Sequence, residues 1–414
     1  MSDEQVSTIS FLVTGLRQLA VWGPGLLVML ADTDAGNVVT AAQSGAQWGY
    51  RLLPLLLVLI PLLYMVQELT VRLGIFTGQG YGELIRARFG SGWAWLVAIG
   101  LVVATIGSLV TEFTGIAGVG ELYGVSRNVT LPAASAVLLA VVLTGSYRRT
   151  ERAALIIGSF ELVFFAAAWA AHPDAAIMLR QSTAIPWANH GFKFLAAALI
   201  GAVFNPWMIF YQQSAVADKK LRAEDYGAAR WGTAIGAVLT QALTAAVLVA
   251  AAATLSSKAD GGSLDSIGAI SAAFAPVLGS EAGRLVFGMG VLGASMVAAV
   301  VSSLAMAWGL GEIAGFQRSF EIRARQAPWF YGVYIVGAVA SALLVWRARD
   351  LVWLNVDVQV INALMLPLVI GLLLVLATRV LPEPYRLRGT ALWVVVSASA
   401  LTCVLGLWGG LAGL

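Results

Sequence analysis

The chain has very little that titrates or cross-links. Of its 414 residues only 11% are charged, two are histidine and one, Cys403, is cysteine. A single cysteine inside an apolar run excludes a disulfide framework and a thiolate metal cluster, and it reads as packing. Both histidines, His172 and His190, fall in one polar connection, so neither can serve a buried proton relay. No buried Ser-His, Cys-His or His-rich constellation is present, which argues against a membrane-embedded enzyme, and no cofactor is expected. No linker rich in proline, serine or glycine marks a second domain, so residues 1–414 read as one transmembrane unit. The N-terminal stretch carries Asp3 and Glu4 in place of a basic region, and no signal peptide is expected.

What the chain has in excess is apolar surface. Hydrophobic residues make up 59% of it, more than an ordinary soluble domain can hide. Apolar runs of about 18 or more residues recur along nearly the whole length, each able to cross a hydrocarbon core roughly 30 Å thick as a helix. Outer-membrane strands would be shorter and alternating. About eleven spans are expected, near 18–47, 52–74, 91–122, 129–146, 153–171, 191–216, 229–255, 284–313, 328–346, 356–379 and 389–411. The longest connections are 172–190 and 256–283.

Basic residues near span ends set orientation. With a cytoplasmic N-terminus, the inside segments hold 17 of the 25 Lys and Arg residues, among them Arg17, Arg72, Arg148, Lys219, Arg318, Arg323 and Arg388, and the other side keeps eight, from Arg51 and Arg127 to Lys258 and Arg349. That asymmetry supports the orientation, in a bacterial inner membrane.

Two spans are interrupted by polar residues and helix breakers. The first reads Ala31-Asp32-Thr33-Asp34-Ala35-Gly36-Asn37 at about mid-membrane depth. A carboxylate there costs several kcal/mol unless it faces protein, water or a counter-ion, so it marks a functional site. Gly36 weakens the helix where the polar residues sit, and unwound backbone frees carbonyls that suit a hard cation. Asp32, on another helical face if the turn persists, reads as bonding neighbouring backbone. The sixth span carries Gly201-Ala202-Val203-Phe204-Asn205-Pro206-Trp207-Met208, where proline removes a donor and clashes with the preceding turn. A proline alone is as often a tolerated kink.

Breaks in the first and sixth spans are what two inverted five-helix repeats produce, 18–171 and 191–379, with 389–411 as an additional helix. Residues 41–46 faintly echo residues 211–216. The other polar groups placed inside spans are Glu68, Glu112, Glu161, Asp357 and Gln359; Glu68 and Glu161 read as structural hydrogen-bond partners between helices.

At these residues the sequence resembles the Nramp family of metal-ion transporters over roughly residues 20–375. The family's first-helix motif is Asp-Pro-Gly-Asn, and Asp34-Ala35-Gly36-Asn37 matches three of its four positions. Residues 73–90, LGIFTGQGYGELIRARFG, are similar to the family's second connection. The family's Ala-x-x-Met-Pro-His falls on Ala202-Val203-Phe204-Asn205-Pro206-Trp207, and Gln359, eight residues before Pro367, matches a glutamine that completes the site. The resemblance implies the all-α LeuT-type fold, with metal held by Asp34 and Asn37, the carbonyls of Ala31 and Ala202, and Gln359.

Departures from the pattern matter as well. Asn205 stands where the family has a methionine, a hard amide oxygen in place of a soft thioether, and a set of oxygen donors suits magnesium or manganese. This resembles the Nramp-related magnesium transporter branch. Trp207 replaces a histidine, and Leu109 replaces an aspartate three residues before the glutamate matched by Glu112, so little that titrates near neutral pH remains on the family's proton route. The expected function is import of magnesium or manganese by alternating access without proton coupling. Two rivals stand: a proton-coupled manganese and iron transporter with Met208 supplying the missing thioether, and an organic-solute or amino-acid symporter in which Asp34 binds an amine or sodium. The expected partners are the lipid bilayer and divalent metal ions, with no nucleic acid, and the expected assembly is a monomer.

Overall fold

A computed structural model describes residues 21–143, 147–255, 264, 267–271, 279–316, 325–348 and 350–411. Asp3, Glu4, Arg17, Lys258, Arg318, Arg323 and Arg349 lie outside the described residues. No strand occurs among those described.

Every expected span has its helix. The first is split into α1, Val21–Asp32, and α2, Ala35–Trp48. α3 is Leu53–Thr77, and α4, Tyr81–Phe89, is a short amphipathic connection. α5 spans Ser91–Leu122 and α6 Arg127–Leu143. α7, Tyr147–Gly158, and α8, Val163–Ala170, are joined by a tight 3-10 turn over Ser159–Leu162. α9, Ala175–Thr183, is followed by the second split span, α10, His190–Val203, and α11, Pro206–Asp218. α12 (Tyr226–Leu255), α13 (Ser280–Ala314), α14 (Pro328–Arg347), α15 (Leu351–Arg379) and α16 (Gly389–Leu411) complete the order. Nine stretches among the described residues are long and apolar enough to cross a membrane, one of them, Ala35–Thr77, running through two helices; Val21–Asp32 and Arg127–Leu143 are shorter apolar helices.

Local chemistry sets many of the boundaries. The side chains of Asp174, Asn189 and Asp350 accept from backbone N–H groups of the first turns of α9, α10 and α15, which otherwise have no partner inside the helix. α3 ends at Gly78 and α13 at Gly315, both left-handed, the conformation glycine adopts at least cost. Large apolar side chains lie outward, with Trp169 82% and Trp393 71% exposed. Helices with that surface and all their backbone pairing internal are what a bilayer accepts.

Three features differ from the sequence expectation. The 172–190 connection is not a bare loop: α9 lies across it and Gln181 Oε1 accepts from Tyr50 N at 3.0 Å. Asp357 is exposed instead of buried, because it sits on the outer face of α15, two residues from the inward-facing Gln359. Glu161, expected to bridge helices by hydrogen bonds, is fully buried yet neither of its carboxyl oxygens has a hydrogen-bond partner. Glu68 does bridge: it pairs with Arg72 at 2.6 Å and accepts from Tyr226 at the start of α12.

The weak echo between the two split spans has a structural counterpart. Gln43 in α2 donates to the carbonyl of Leu264 at 3.0 Å and accepts its N–H at 2.9 Å. Gln213 in α11 donates to the carbonyl of Gln79 at 3.0 Å. In each case a glutamine on the second half of a broken span pins the backbone of a connecting segment.

Candidate functional site

The two breaks face each other, and each exposes carbonyls for a specific reason. In a continuous helix the Ala31 carbonyl would accept from the N–H of Ala35. That N–H instead donates to Glu112 Oε2 on α5 at 3.2 Å. The Ala202 carbonyl would accept from residue 206, but Pro206 has no N–H, and the carbonyl accepts the side-chain amide of Asn205 at 3.2 Å. The negative ends of α1 and α10 therefore point their last carbonyls into the centre, an arrangement that favours a cation.

Asp34 and Asn205 occupy equivalent places, each capping the second half of its span. Asp34 is extended (φ −71°, ψ 172°), and its Oδ1 accepts the backbone N–H of Asn37 at 2.6 Å. Asn205 is also extended (φ −65°, ψ 126°), but its side chain is not spent on its own helix. Its Nδ2 reaches toward Asp34 Oδ2 at 3.5 Å, which brings together residues 171 apart in sequence. Asn37 Nδ2 donates to the Asp32 carbonyl at 2.9 Å, while its Oδ1 has no partner.

α15 supplies the third wall. Gln359 Oε1 accepts from Asn362 Nδ2 at 3.0 Å, and the same amide nitrogen donates to Asn205 Oδ1 at 2.5 Å. Asn362 escaped the sequence reading. The signal that could have found it is its place one helical turn after Gln359, on the same face. Gln359 Nε2 and Asn362 Oδ1 have no partner. Two glycines let α15 come this close. A Cβ on Gly36 would lie 2.0 Å from Gln359 Nε2, and one on Gly201 would lie 1.7 Å from the Gln359 carbonyl. Gly36 lies inside the first turn of α2, not in the unwound stretch, so its use here is close approach and not helix breaking.

Asp34, Asn37, Asn205, Gln359, Asn362 and Glu112 are all at or below 1% exposure. Asp34 and Glu112 face each other as buried carboxyls, and no ion pair among the described residues involves either. Among the described residues no group of three or more His, Cys, Asp or Glu is arranged to hold a metal; the oxygens gathered at the breaks belong to amides and backbone carbonyls beside the facing Asp34 and Glu112 carboxyls. Asp32 does not bond only neighbouring backbone, since its Oδ2 accepts from Thr240 of α12 at 3.4 Å.

The two positions where the expected proton route departs from the pattern are built into the packing. Trp207 Nε1 donates to Ser108 Oγ at 3.0 Å, and Leu109 is fully buried. An indole N–H donates without titrating near neutral pH. His172 and His190 are both exposed.

Residues 25–412 match the family description "Natural resistance-associated macrophage protein-like". The chain belongs to the Nramp family. It is similar to the divalent metal cation transporter MntH of Erwinia tasmaniensis, at 27% identity over 299 residues, 70% of this chain and 71% of that one. It is similar to the protein of the same name in Klebsiella pneumoniae, at 27% over 315 residues, 74% and 75% of the two chains. Among solved structures, the manganese transporter of Eremococcus coleocola superposes with a TM-score of 0.76 at 19% identity, covering 95% of this chain and 86% of that one. The Nramp chain thus has the LeuT-type fold, and its two breaks are those of the first and sixth spans.

Proposed function

We propose that this protein imports divalent metal ions by alternating access, that magnesium or manganese is its cargo, and that transport runs without proton coupling. The observation that carries the reading is the donor set at the two breaks. Asp34, Asn37, Asn205, Gln359 and the carbonyls of Ala31 and Ala202 carry oxygens at the two breaks; Asn205 turns its Nδ2 toward Asp34 across the break, and its Oδ1 accepts from Asn362. Asn362 holds Asn205 and Gln359 in place. Oxygen donors around one carboxylate suit hard cations, and amide dipoles that already bond one another leave room for an ion that keeps part of its water. The MntH relatives named as divalent metal cation transporters support the cargo class.

Import without protons is supported by Trp207 and Leu109. A divalent ion entering a negative interior gains about 4.6 kcal/mol per 100 mV, twice the single-charge value, so downhill uptake needs no second driving ion. With the N-terminus cytoplasmic in a bacterial inner membrane, a monomer suffices, since both breaks and α15 come from one chain. The matching roles of Gln43 and Gln213 support the division into repeats 18–171 and 191–379.

Proteoliposome uptake with magnesium, manganese and calcium in competition, with internal pH followed under clamped voltage, tests this reading. Magnesium and manganese should accumulate with no accompanying acidification. Acidification in fixed ratio to metal uptake would return the protein to the proton-coupled manganese and iron class.

Selectivity is expected to follow Asn205. Asn205→Met replaces an amide oxygen by a polarizable sulfur, which competes poorly with water for magnesium. Calorimetry should show manganese and cadmium gaining roughly tenfold over magnesium, a change of about 1.4 kcal/mol. An unchanged order of preference would mean that Asn205 does not touch the ion and that Met208 has to be reconsidered.

A further inference from the structure

The span formed by α7 and α8 is interrupted by its 3-10 turn over Ser159–Leu162. Glu161 lies in that turn, fully buried, with both carboxyl oxygens unpartnered. The surrounding helices press on it closely. A Cβ on Gly293 of α13 would come 2.7 Å from the Ile157 carbonyl, and one on Gly158 would lie 3.3 Å from the side chain of Leu30 at the end of α1. The polar group facing Glu161 is the hydroxyl of Thr33, and its charged neighbours are Asp34 and Asp32. Thr33 is bonded to Thr240 through their hydroxyls at 2.8 Å. Asp32 Oδ1 is a third buried carboxyl oxygen with no partner.

A buried carboxylate without partners is costly, and it stays charged only when something positive can reach it. No ion pair among the described residues involves Asp32 or Glu161. A proton on Glu161 could be donated to the Thr33 hydroxyl, but it would leave Asp32 Oδ1 bare. A cation coordinates several oxygens at once. Carboxylate and hydroxyl donors suit a hard ion.

We propose that Asp32, Thr33 and Glu161 form a second hard-cation site, separate from the transported ion's site and fed either by an alkali ion such as sodium or by a second divalent ion. Its presence does not depend on Asp34 being a metal ligand. An ion there offsets negative charge next to the α1–α2 break and so couples to occupancy of the neighbouring site.

The test uses the purified full chain, wild type and Glu161→Gln, with sodium chloride against choline chloride at constant ionic strength and manganese chloride as the divalent probe. If sodium fills the site, the wild type gains several degrees in melting temperature in sodium and its manganese affinity shifts severalfold, and Glu161→Gln loses both responses. If a second divalent ion fills it, calorimetry in choline gives two manganese equivalents for the wild type and one for Glu161→Gln. The same sodium response and manganese stoichiometry in both proteins would overturn the proposal. Glu161→Asp keeps the charge but shortens its reach; it should weaken whichever response the wild type shows, and full retention in that variant also counts against the site. Repeating the titration in Asp34→Asn separates this claim from the transport reading: the Glu161-dependent response persists there even if Asp34 proves not to hold the cargo.

Discussion

Asp34→Ala and Asp34→Asn are both expected to abolish metal uptake while leaving the protein folded. Asp34 is the only acidic side chain in the proposed ligand set, and it sits where the last carbonyls of α1 and α10 converge. At an effective dielectric near 20, a unit charge about 4 Å from a divalent ion contributes on the order of 8 kcal/mol before desolvation. If only a quarter of that survives, affinity falls roughly 30-fold or more. The cost to the fold is much smaller. Alanine loses the helix cap on Asn37, worth about 1 kcal/mol, and leaves Glu112 without the carboxyl it faces. Asparagine keeps an oxygen for the cap, so any loss it shows reflects charge alone. Manganese titration by calorimetry, together with melting temperatures with and without metal, reads both quantities. Wild-type affinity in either variant would remove Asp34 from the site.

The second large effect is expected at a residue with no side chain. In Gly201→Ala the added methyl would lie 1.7 Å from the Gln359 carbonyl and 2.8 Å from the Ala363 nitrogen. Both are backbone atoms of α15, so no side chain can turn aside, and α10 and α15 have to separate by an ångström or more. Overpacking of this kind costs about 1–3 kcal/mol. The same displacement carries the Ala202 carbonyl away from Gln359, so metal affinity should fall with stability. Gly371, on the same helix α15, is the control, because a Cβ there meets nothing within 4 Å. Gly371→Ala should be neutral or stabilising by up to about 1 kcal/mol through helix propensity alone. Equal melting temperatures for Gly201→Ala and the wild type would show that α10 and α15 are not held at this spacing.

These two positions differ in how far the sequence announced them. Asp34 is conspicuous because a carboxylate in a long apolar run has few innocent explanations, and Pro206 declares its break through the N–H it lacks. Both are local properties of the chain, as are the lengths of the apolar runs, the oxygen chemistry of Asn37 and Asn205, and the absence of titrating groups at Trp207 and Leu109. Gly201 looks like any of the 44 glycines in the chain. Its importance comes from a backbone atom more than 150 residues away.

The same division holds across the site. Sequence by itself determined that the chain crosses a membrane many times, that its first and sixth spans break, and which polar residues lie at those breaks, because hydropathy, proline geometry and the cost of buried charge act within a few residues. Only the tertiary structure decided that Asn362 ties Asn205 to Gln359, that Asp357 lies outward, that Glu112 takes the N–H which would have closed α1 onto α2, and that Glu161 is buried without a partner near Thr33. Those outcomes depend on which helix faces meet and how closely they approach. Each of the eleven expected spans is apolar over most of its surface, so periodicity carries almost no information about which side faces lipid and which faces the site.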